Sequence, residues 1–236
     1  MLQKILNYFY PKKILTPKIF VPHYRNLHYG RPALVISPGP SVELYSYVIL
    51  RVIDVLRPII IGTQYHFPDF PIDYTIFRNR KRFCTYATMA CKKSHVFVSP
   101  SIPERIARKY CINWEYFSCF KSQEFLITFG GIIYDGGMQT GIISLALAHI
   151  MGCNPIYAVG FDGYSNQKSH IEDTREGQGE DFLRVKRYNE SSLKGLQYLR
   201  SIRVISGLDG PWILTPTIYT YFYRDIHEYT IPSSTN

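Results

Sequence analysis

Short runs of apolar residues alternate with amphipathic or mixed segments along most of this chain, starting at Pro32. Each run ends near Gly, Pro, Ser, Asn or Arg, several of which commonly terminate strands. The runs predict buried β-strands over residues 33–36, 58–62, 74–77, 95–98 and 156–159. Because strands that alternate with helices form parallel sheets covered on both faces, we expect an α/β fold.

Four segments have the composition or the periodicity of helices. Ser41 lies where an N-cap belongs, and the residues after it predict a helix. Residues 142–151 are small or apolar nearly all round, which predicts a buried helix. Residues 189–200 predict an amphipathic helix that leads to the apolar segment 202–205, and residues 102–110 favour a further helix.

The same pattern gives the domain organisation. Residues 1–31 are basic and aromatic and precede the periodic region, so we interpret them as an N-terminal arm that packs against the domain. Residues 32–236 contain no repeat and no low-complexity linker, which predicts a single domain. Within it, the polar, glycine-containing tract 166–184 favours a small lid over a site, at about residues 164–188.

Charge and composition narrow the classes of partner. The chain has 236 residues, 46% of them hydrophobic, and a formal charge of +9, part of it in residues 78–82. Such a balance favours polyanionic partners: nucleic acid, anionic lipid, or phosphorylated and acidic small molecules. No stretch reaches the roughly 18 uninterrupted apolar residues of a membrane span, and residues 1–13 do not have the pattern of a signal peptide. We therefore expect a cytoplasmic protein, in contact with a membrane surface only peripherally.

Cysteine usage gives no sign of a covalent framework. The five cysteines are an odd number and include no C-x-x-C pair. This spacing indicates neither a disulfide framework nor a zinc site, so we expect free or buried thiols.

The carboxyl ends of the predicted strands carry the residues with chemical potential, because in an open parallel sheet ligands bind at that edge. The first of these ends is the stiff turn Ser37-Pro38-Gly39-Pro40-Ser41. Gly39 allows a ligand to approach the backbone, and the amides after Ser41 would open a helix N-terminus that favours an anion. A rigid corner with Ser41 as the helix cap explains the same residues equally well.

The other strand ends supply mainly neutral hydrogen-bonding groups. Thr63 and Gln64 follow the second strand, and they have the groups that a ribose or a base edge needs. No Asp-x-Asp occurs, so a metal-dependent diphosphate-sugar site is not supported. Charge to stabilise a leaving phosphate would then come from basic residues, with tyrosines as donors. The candidates are Arg175, Arg184, Lys186 and Arg187, with Tyr164 and Tyr188.

Three side chains at the strand ends are candidates for a general base. His66 and His170 fall in the predicted loops, where an imidazole can exchange protons with a substrate. Asp162 follows the strand 156–159 and would either act as a base or cap the next turn. His149 falls inside the buried helix, which favours a structural role.

Four motifs carry a family resemblance. They are Val35-Ile36-Ser37-Pro38-Gly39-Pro40-Ser41, Gln64-Tyr65-His66-Phe67, Ile76-Phe77-Arg78-Asn79, and the block from Thr140-Gly141 to Ile156-Tyr157-Ala158-Val159-Gly160-Phe161-Asp162. Together they resemble the bacterial sialyltransferases of glycosyltransferase family 42. They also resemble the wider DUF115 group, which includes motility-accessory-factor glycosyltransferases and 6-hydroxymethylpterin pyrophosphokinases. The similarity covers roughly residues 33–205.

The resemblance implies a Rossmann-like domain with a lid, a variant similar to the GT-A fold. It implies a metal-independent sialyltransferase-like enzyme that needs no cofactor besides its nucleotide-sugar donor and transfers the sugar in one inverting displacement. Pro38, Thr63 and Gly137 stand where the family usually has Asn, Asn and Arg, so the donor sugar is left open. Residues expected to bind the donor are Ser37, Gly39, Ser41, Thr63, Gln64, Asn79, Thr140, Gly141, Tyr164 and Tyr188. Residues expected to act in catalysis are His170, Asp162 and Arg187.

Several functions are compatible with these residues. The first is transfer of a sugar to a hydroxyl of a glycan, lipid or protein acceptor. The second is transfer to a modified base in nucleic acid, which the positive charge favours. A pterin-type pyrophosphokinase would need clustered carboxylates, and a non-catalytic nucleotide-binding module would need no base. The candidate carboxylates are Asp69, Asp73, Asp135 and Asp162, which are scattered along the chain. The oligomeric state is left open.

Overall fold

The computed structural model describes residues 22–165 and 182–231, and its centre is a seven-stranded parallel sheet. The strand order is β10-β9-β1-β2-β3-β4-β5, and every pairing within it is parallel. The strands are β1 (Ala33–Ile36), β2 (Ile59–Thr63), β3 (Tyr74–Phe77), β4 (His95–Val98), β5 (Trp114–Tyr116), β9 (Ile156–Val159) and β10 (Trp212–Ile213). The predicted α/β fold with a mainly parallel, Rossmann-like sheet is confirmed.

Helices cover both faces of this sheet, because successive strand side chains point to opposite sides. Ala33 and Val35 of β1 pack in one core with α5 (Thr140–Ile150) and α6 (Phe182–Ile205). Leu34 and Ile36 pack in the opposite core with α2 (Ser46–Leu56). Two further helices, α3 (Arg80–Ala90) and α4 (Glu104–Tyr110), enclose a third cluster around Phe77 and Val98. Continuous apolar strands are therefore buried on both faces.

Helix α5 is the most deeply buried helix among the described residues. All of its residues are buried except Gly141 and His149, which are partly exposed. The helix crosses β1, β2 and β9, and its N-terminus lies at the carboxyl edge of the sheet. The apolar composition around the whole helix axis therefore predicted its position correctly.

Two helices differ from the sequence-based expectation. The helix expected after Ser41 is split into α1 (Ser41–Leu44) and α2, with Tyr45 between them. Helix α6 begins seven residues before the predicted start at 189 and continues through the segment 202–205. Its first turns are basic and exposed, so they lack the apolar periodicity on which the prediction depended.

A second, three-stranded sheet lies in the region that sequence patterns left unassigned. It contains β6 (Cys119–Phe120), β7 (Phe125–Ile127) and β8 (Ile133–Asp135) in the order β6-β8-β7. These strands are only two or three residues long, which is too short for a periodic signal. Nearby, Cys91 and Cys111 form a disulfide, so the expectation of free thiols holds only for Cys84, Cys119 and Cys153.

Residues 22–31, the described end of the predicted arm, pack at the edge of the sheet opposite to the carboxyl ends of its strands, beside the C-terminus of α5. The backbone N–H of Asn26 donates to the carbonyl of Ile150 at 2.9 Å, and that of His28 donates to Met151 at 2.8 Å. Tyr24 is fully buried, and its hydroxyl accepts a hydrogen bond from the Ser118 N–H at 2.7 Å. Residues 1–21 lie outside the described ranges. Within those ranges, no helix has the length and hydrophobicity needed to cross a membrane.

Arg203 is a fully buried cation near the C-terminus of α6. Its guanidinium donates to the carbonyls of Asp209 and Cys153 and to Oδ1 of Asn154, at 2.8, 3.2 and 2.9 Å. It also lies 3.4 Å from Nδ1 of His149. Burial, reinforced by Arg203, lowers the pKa of His149 to about 4, so this imidazole is neutral at pH 7 and can accept the bond. His149 is structural, as its position in a buried helix predicted.

We expect Arg203→Met to lower the free energy of unfolding by about 3 kcal/mol or more, because several buried acceptors lose their donor together. Urea denaturation measures this change. Arg51→Met on the exposed face of α2 removes the same charge and should change stability by less than about 0.5 kcal/mol. Equal, small effects of the two substitutions would show that the buried hydrogen bonds do not stabilise the fold.

Candidate active site at the carboxyl edge of the sheet

A cavity of about 370 Å³ lies at the carboxyl ends of β1, β2, β3 and β9, above the N-terminus of α5. It brings together ten of the residues predicted from the sequence. They are Ser37, Gly39, Thr63, Gln64, Asn79, Thr140, Gly141, Asp162, Tyr164 and Tyr188. Ser41 and Arg187 do not line it, and His170 lies outside the described residues.

Ser41 lies behind the wall of this cavity and binds Asp162. The Ser41 N–H donates to Oδ2 of Asp162 at 2.7 Å, and the Ser41 hydroxyl donates to Oδ1. The same hydroxyl lies 2.9 Å from that of Thr215. Ser41 is the first helical residue and makes no cap bond, because Pro40 holds the N-cap position. The expected Ser41 cap is therefore wrong.

The amides at the start of α1 are also occupied within the protein. Val42 N–H donates to the Gly39 carbonyl at 3.1 Å, and Glu43 N–H donates to the Pro40 carbonyl at 3.2 Å. With Ser41 N–H bound to Asp162, the protein's own carboxylate lies where the sequence suggested a bound anion. Among the described residues, Gly39 N–H is the one amide of the turn without a partner, so the turn contributes mainly the shape of the cavity wall.

Burial raises the pKa of Asp162 above its ordinary value, and the hydrogen bonds from Ser41 offset only part of this shift. The carboxyl group therefore holds a proton more tightly than an exposed aspartate does. A carboxylate with a raised pKa inside a cavity is suited to accept a proton from a substrate hydroxyl.

The N-terminus of α5 offers backbone donors to the cavity. Gln139 is the N-cap residue and makes no side-chain cap bond. The first backbone bond of the helix is from Ile143 N–H to the Gln139 carbonyl, at 3.2 Å. Within residues 22–165 and 182–231, the N–H groups of Thr140, Gly141 and Ile142 have no hydrogen-bond partner. Three such donors at the positive end of an 11-residue helix favour an anion.

Gln64 holds this helix N-terminus against the ends of β2 and β3. Its Nε2 donates to the hydroxyl of Thr140 at 2.7 Å, and its Oε1 accepts from the N–H of Asn79 at 2.6 Å and of Arg78 at 3.3 Å. Gln64 has a φ of 52°, in the left-handed region. Because Oε1 already accepts two backbone hydrogen bonds, it is not available to a ligand, whereas the second hydrogen of the Nε2 amide is available.

Arg78 belongs to the basic run 78–82, and it is partly buried in an ion pair. Its Nη2 binds Oδ2 of Asp135, and its Nη1 donates to the Met138 carbonyl at 2.7 Å. Asp135 also accepts from the N–H groups of Gly137 at 3.1 Å and Ser122 at 3.3 Å. The pair joins β3 to the segment that leads into α5.

The start of α6 closes one side of the cavity. Nε of Arg184 lies 2.8 Å from the hydroxyl of Tyr188, whose ring lies 5.0 Å from that of Tyr164. The side chain of Asn189 accepts from Tyr164 N–H at 2.7 Å and donates to the Tyr164 carbonyl at 2.9 Å. Arg184 lines the cavity, whereas Arg187 is exposed, and its guanidinium lies 5.7 Å from the centroid of the Tyr188 ring.

Some lining residues were not among the predicted site residues. Gln139 accepts a hydrogen bond from the Tyr164 hydroxyl at 3.1 Å, and Tyr219 comes from the segment after β10. Their positions depend on contacts between distant parts of the chain, so no local pattern could indicate them. The remaining additional residues are Pro38, Arg82, Ile142, Gly160, Phe161, Gly163 and Ser192, whereas Arg184 was a predicted candidate for stabilising the leaving phosphate.

Two further expectations concern histidine and metal ligands. His66 does not line the cavity, and burial together with the nearby Lys93 lowers its pKa. In the described part of the chain, no group of three or more His, Cys, Asp or Glu side chains is arranged to hold a metal ion.

Comparison with known proteins identifies the fold. Neither a protein-family model nor a curated protein matches the sequence. The chain is similar to the structure of a Maf glycosyltransferase from Magnetospirillum magneticum AMB-1, with a TM-score of 0.56 and 14% identity. It is also similar to the sialyltransferase CstII from Campylobacter jejuni, with a TM-score of 0.50 and 14% identity. The chain has the fold of these two glycosyltransferases.

The two alignments differ in extent. The alignment with the Maf protein covers 80% of this chain and 32% of that protein, so this chain spans about a third of that relative's length. The alignment with CstII covers 82% of this chain and 85% of CstII, which was solved with the substrate analogue CMP-3FNeuAc. The predicted resemblance to these families is confirmed at the level of the fold.

The raised pKa of Asp162 gives a prediction about stability. A carboxyl whose pKa is raised by folding stabilises the fold below its unfolded pKa, near 3.8, and this contribution is lost as the pH rises through the folded pKa. Asp162→Asn keeps an acceptor for Ser41 without the buried charge. The stability of Asp162→Asn relative to the wild type should therefore increase as the pH rises across this window, as measured by thermal unfolding. Asp54→Asn on the exposed surface of α2 controls for the loss of one charge. A difference that stays constant or falls would contradict the prediction.

Proposed function

We propose that this protein is a glycosyltransferase that moves a sugar from a nucleotide-sugar donor to an acceptor hydroxyl. The observation that carries this proposal is the N-terminus of α5, whose three N–H donors lie at a cavity lined largely by neutral polar side chains. Such a terminus suits the phosphate of a nucleotide, and the surrounding hydroxyl and amide groups suit its ribose and base. The fold shared with two glycosyltransferases supports the same assignment.

The donor phosphate is assigned to α5 and not to the Ser37–Ser41 turn. The amides of Ser37 and Ser41 are bound within the protein, which leaves the turn one available donor, Gly39 N–H, among the described residues. The start of α5 has three available donors there, from Thr140, Gly141 and Ile142. Arg184 lines the cavity and supplies positive charge from α6. Backbone donors and a guanidinium could stabilise the leaving phosphate without a metal ion. The CMP-sugar analogue bound by CstII supports a cytidine nucleotide as the first donor class to test.

The chemistry proposed is a single displacement at the anomeric carbon with inversion. The acceptor oxygen forms a bond to that carbon while the bond to the nucleotide phosphate breaks, and the phosphate leaves with the electron pair. The proton of the acceptor hydroxyl passes to a base, for which we propose Asp162 on the basis of its place in the cavity and its raised pKa. His170 is the alternative base.

The positions of the other carboxylates argue against a pyrophosphokinase. Asp135 is neutralised by Arg78, and Asp73 lies before β3, at the opposite edge of the sheet. Asp73 accepts a hydrogen bond from the Ile60 N–H at 2.8 Å. Asp73 and Asp162 therefore lie at opposite edges of the sheet, and Asp135 is bound to Arg78. The three carboxylates do not form one cluster.

The phosphate site can be tested by removing one backbone donor. Thr140→Pro deletes the N–H at the first helical position, where proline is tolerated. The preceding Gln139 has φ −67° and ψ 154°, which are compatible with a following proline. Thr140→Val is the matched control, since both variants lose the hydroxyl that binds Gln64. We expect Thr140→Pro to bind nucleotide about tenfold more weakly than Thr140→Val.

Calorimetric titration with CMP, UDP, GDP and ADP measures this difference and identifies the preferred base. A metal chelator in a parallel titration tests whether binding is independent of metal. Equal affinities of the proline and valine variants would show that the phosphate does not bind at the N-terminus of α5. Absence of binding by the wild type to all four nucleotides would overturn the proposed function.

The base can be tested by kinetics once the donor is known. Asp162→Asn should lower kcat by about 100-fold or more and abolish the acidic limb of the pH profile, because a general base contributes at least this much. His170→Gln, measured beside it, should leave the acidic limb in place. The reverse pattern would assign the base to His170, and donor titration of both variants separates catalysis from binding.

A further inference from the structure

A second cavity of about 680 Å³ lies beside the donor cavity. It lies near the carboxyl ends of β3 and β4 and beside β6 of the small sheet. Asn79, the N-cap residue of α3, lines both cavities. A molecule in the second cavity would therefore lie next to a donor in the first, as an acceptor must.

The second cavity is positively charged. Arg80, Lys81 and Lys121 line it and are exposed, and no ion pair joins them to another residue within the described ranges. Asp135 is the lining carboxylate, and its charge is already balanced by Arg78. Three cations are therefore left without a compensating carboxylate in the cavity wall.

This charge arrangement is unfavourable for the isolated protein. Arg80 and Lys81 fall in the first turn of α3, which contains no acidic residue. Cations at the positive end of a helix destabilise it, whereas an anion placed there is favourable. A bound anionic group would relieve the repulsion between the cations and the helix terminus.

The rest of the wall suits a saccharide. The hydroxyl of Ser101 lies 3.1 Å from that of Ser99 and donates to the Arg78 carbonyl at 3.1 Å. Phe120 is 47% exposed and precedes Lys121 in the chain. An exposed aromatic ring beside hydroxyl groups offers an apolar surface and polar contacts at one place, as a sugar requires.

We propose that this cavity binds the acceptor and that the acceptor is an anionic saccharide. Its carboxylate or phosphate lies among these cations, and the hydroxyl that receives the sugar extends past Asn79 into the donor cavity, where Asp162 lies. The role as acceptor site rests on the proposed function. A nucleic acid fits less well, because it needs a row of cations along an extended backbone. Here the ion pair with Asp135 removes Arg78 from the basic run and Arg82 lines the donor cavity, so the cations of this site are the three that line one cavity.

The test compares matched anionic and neutral saccharides on the full chain by calorimetric titration. The probes are tetragalacturonic acid with its methyl ester, galactose 6-phosphate with galactose, and an oligothymidylate. The site variant is Arg80→Gln/Lys81→Gln/Lys121→Gln. The control Arg51→Gln/Lys92→Gln/Lys194→Gln removes the same charge from exposed positions away from both cavities.

We expect at least one anionic saccharide to bind about tenfold or more tightly than its neutral partner, with that preference lost in the site variant and kept in the control. The carboxylate and phosphate probes distinguish the two kinds of anion. Equal binding of the neutral probe, equal loss in both triple variants, or tighter binding of the oligothymidylate would overturn the proposal.

Nucleotide titrations separate this proposal from the proposed function. The site variant changes no residue that lines the donor cavity, so its nucleotide affinity should equal that of the control. A wild type that binds no nucleotide but binds the anionic saccharide through these cations would overturn the glycosyltransferase and keep the saccharide site. Nucleotide binding without saccharide selectivity would overturn the saccharide site alone.

Discussion

The carboxylate of Asp162 and the backbone of Ser41 form the contact on which the geometry of the site depends. It joins the end of β9 to the turn after β1, two segments 121 residues apart in the chain. The backbones must approach closely for this bond to form, and a side chain at Gly39 would clash with the carbonyl of Gly160. The contact between Ser41 and Asp162 therefore requires both the stiff turn and the glycine. That contact binds the Ser41 N–H, so among the described residues the three successive available amides of the cavity are those at the start of α5.

The edge of the sheet contains two electrostatic environments. The donor cavity contains a helix terminus, neutral polar groups, two arginine side chains and the partly buried carboxyl of Asp162. In the wall of the second cavity Arg78 and Asp135 neutralise one another, and Arg80 and Lys121 have no compensating acid in that wall. The proposed donor and acceptor are both anionic, and they would contact different groups side by side.

The sequence predicts the sheet well because each central strand is buried on both faces and appears as a continuous apolar run. Ten of the cavity residues could be predicted from these strands, because the carboxyl ends of parallel strands meet at one edge of the sheet. The roles of Ser41 and Arg78 could not be predicted, because their partners Asp162 and Asp135 are distant in the chain. Local patterns indicated a helix cap at Ser41 and gave no sign of the ion pair that Arg78 makes. The short strands of the small sheet gave no periodic signal at all.

Asn189 has a consequence for how this protein could diversify. Its side chain holds both backbone groups of Tyr164, and its Oδ1 also lies 3.2 Å from the Tyr219 hydroxyl. Tyr164 and Asn189, which are 25 residues apart in the chain, are therefore fixed side by side. Insertions or deletions between these two positions would change the loop-closure entropy only slightly, because that cost grows slowly with loop length. Related proteins could then differ in the number of residues between the two positions while the sheet and the helix N-terminus stay as they are.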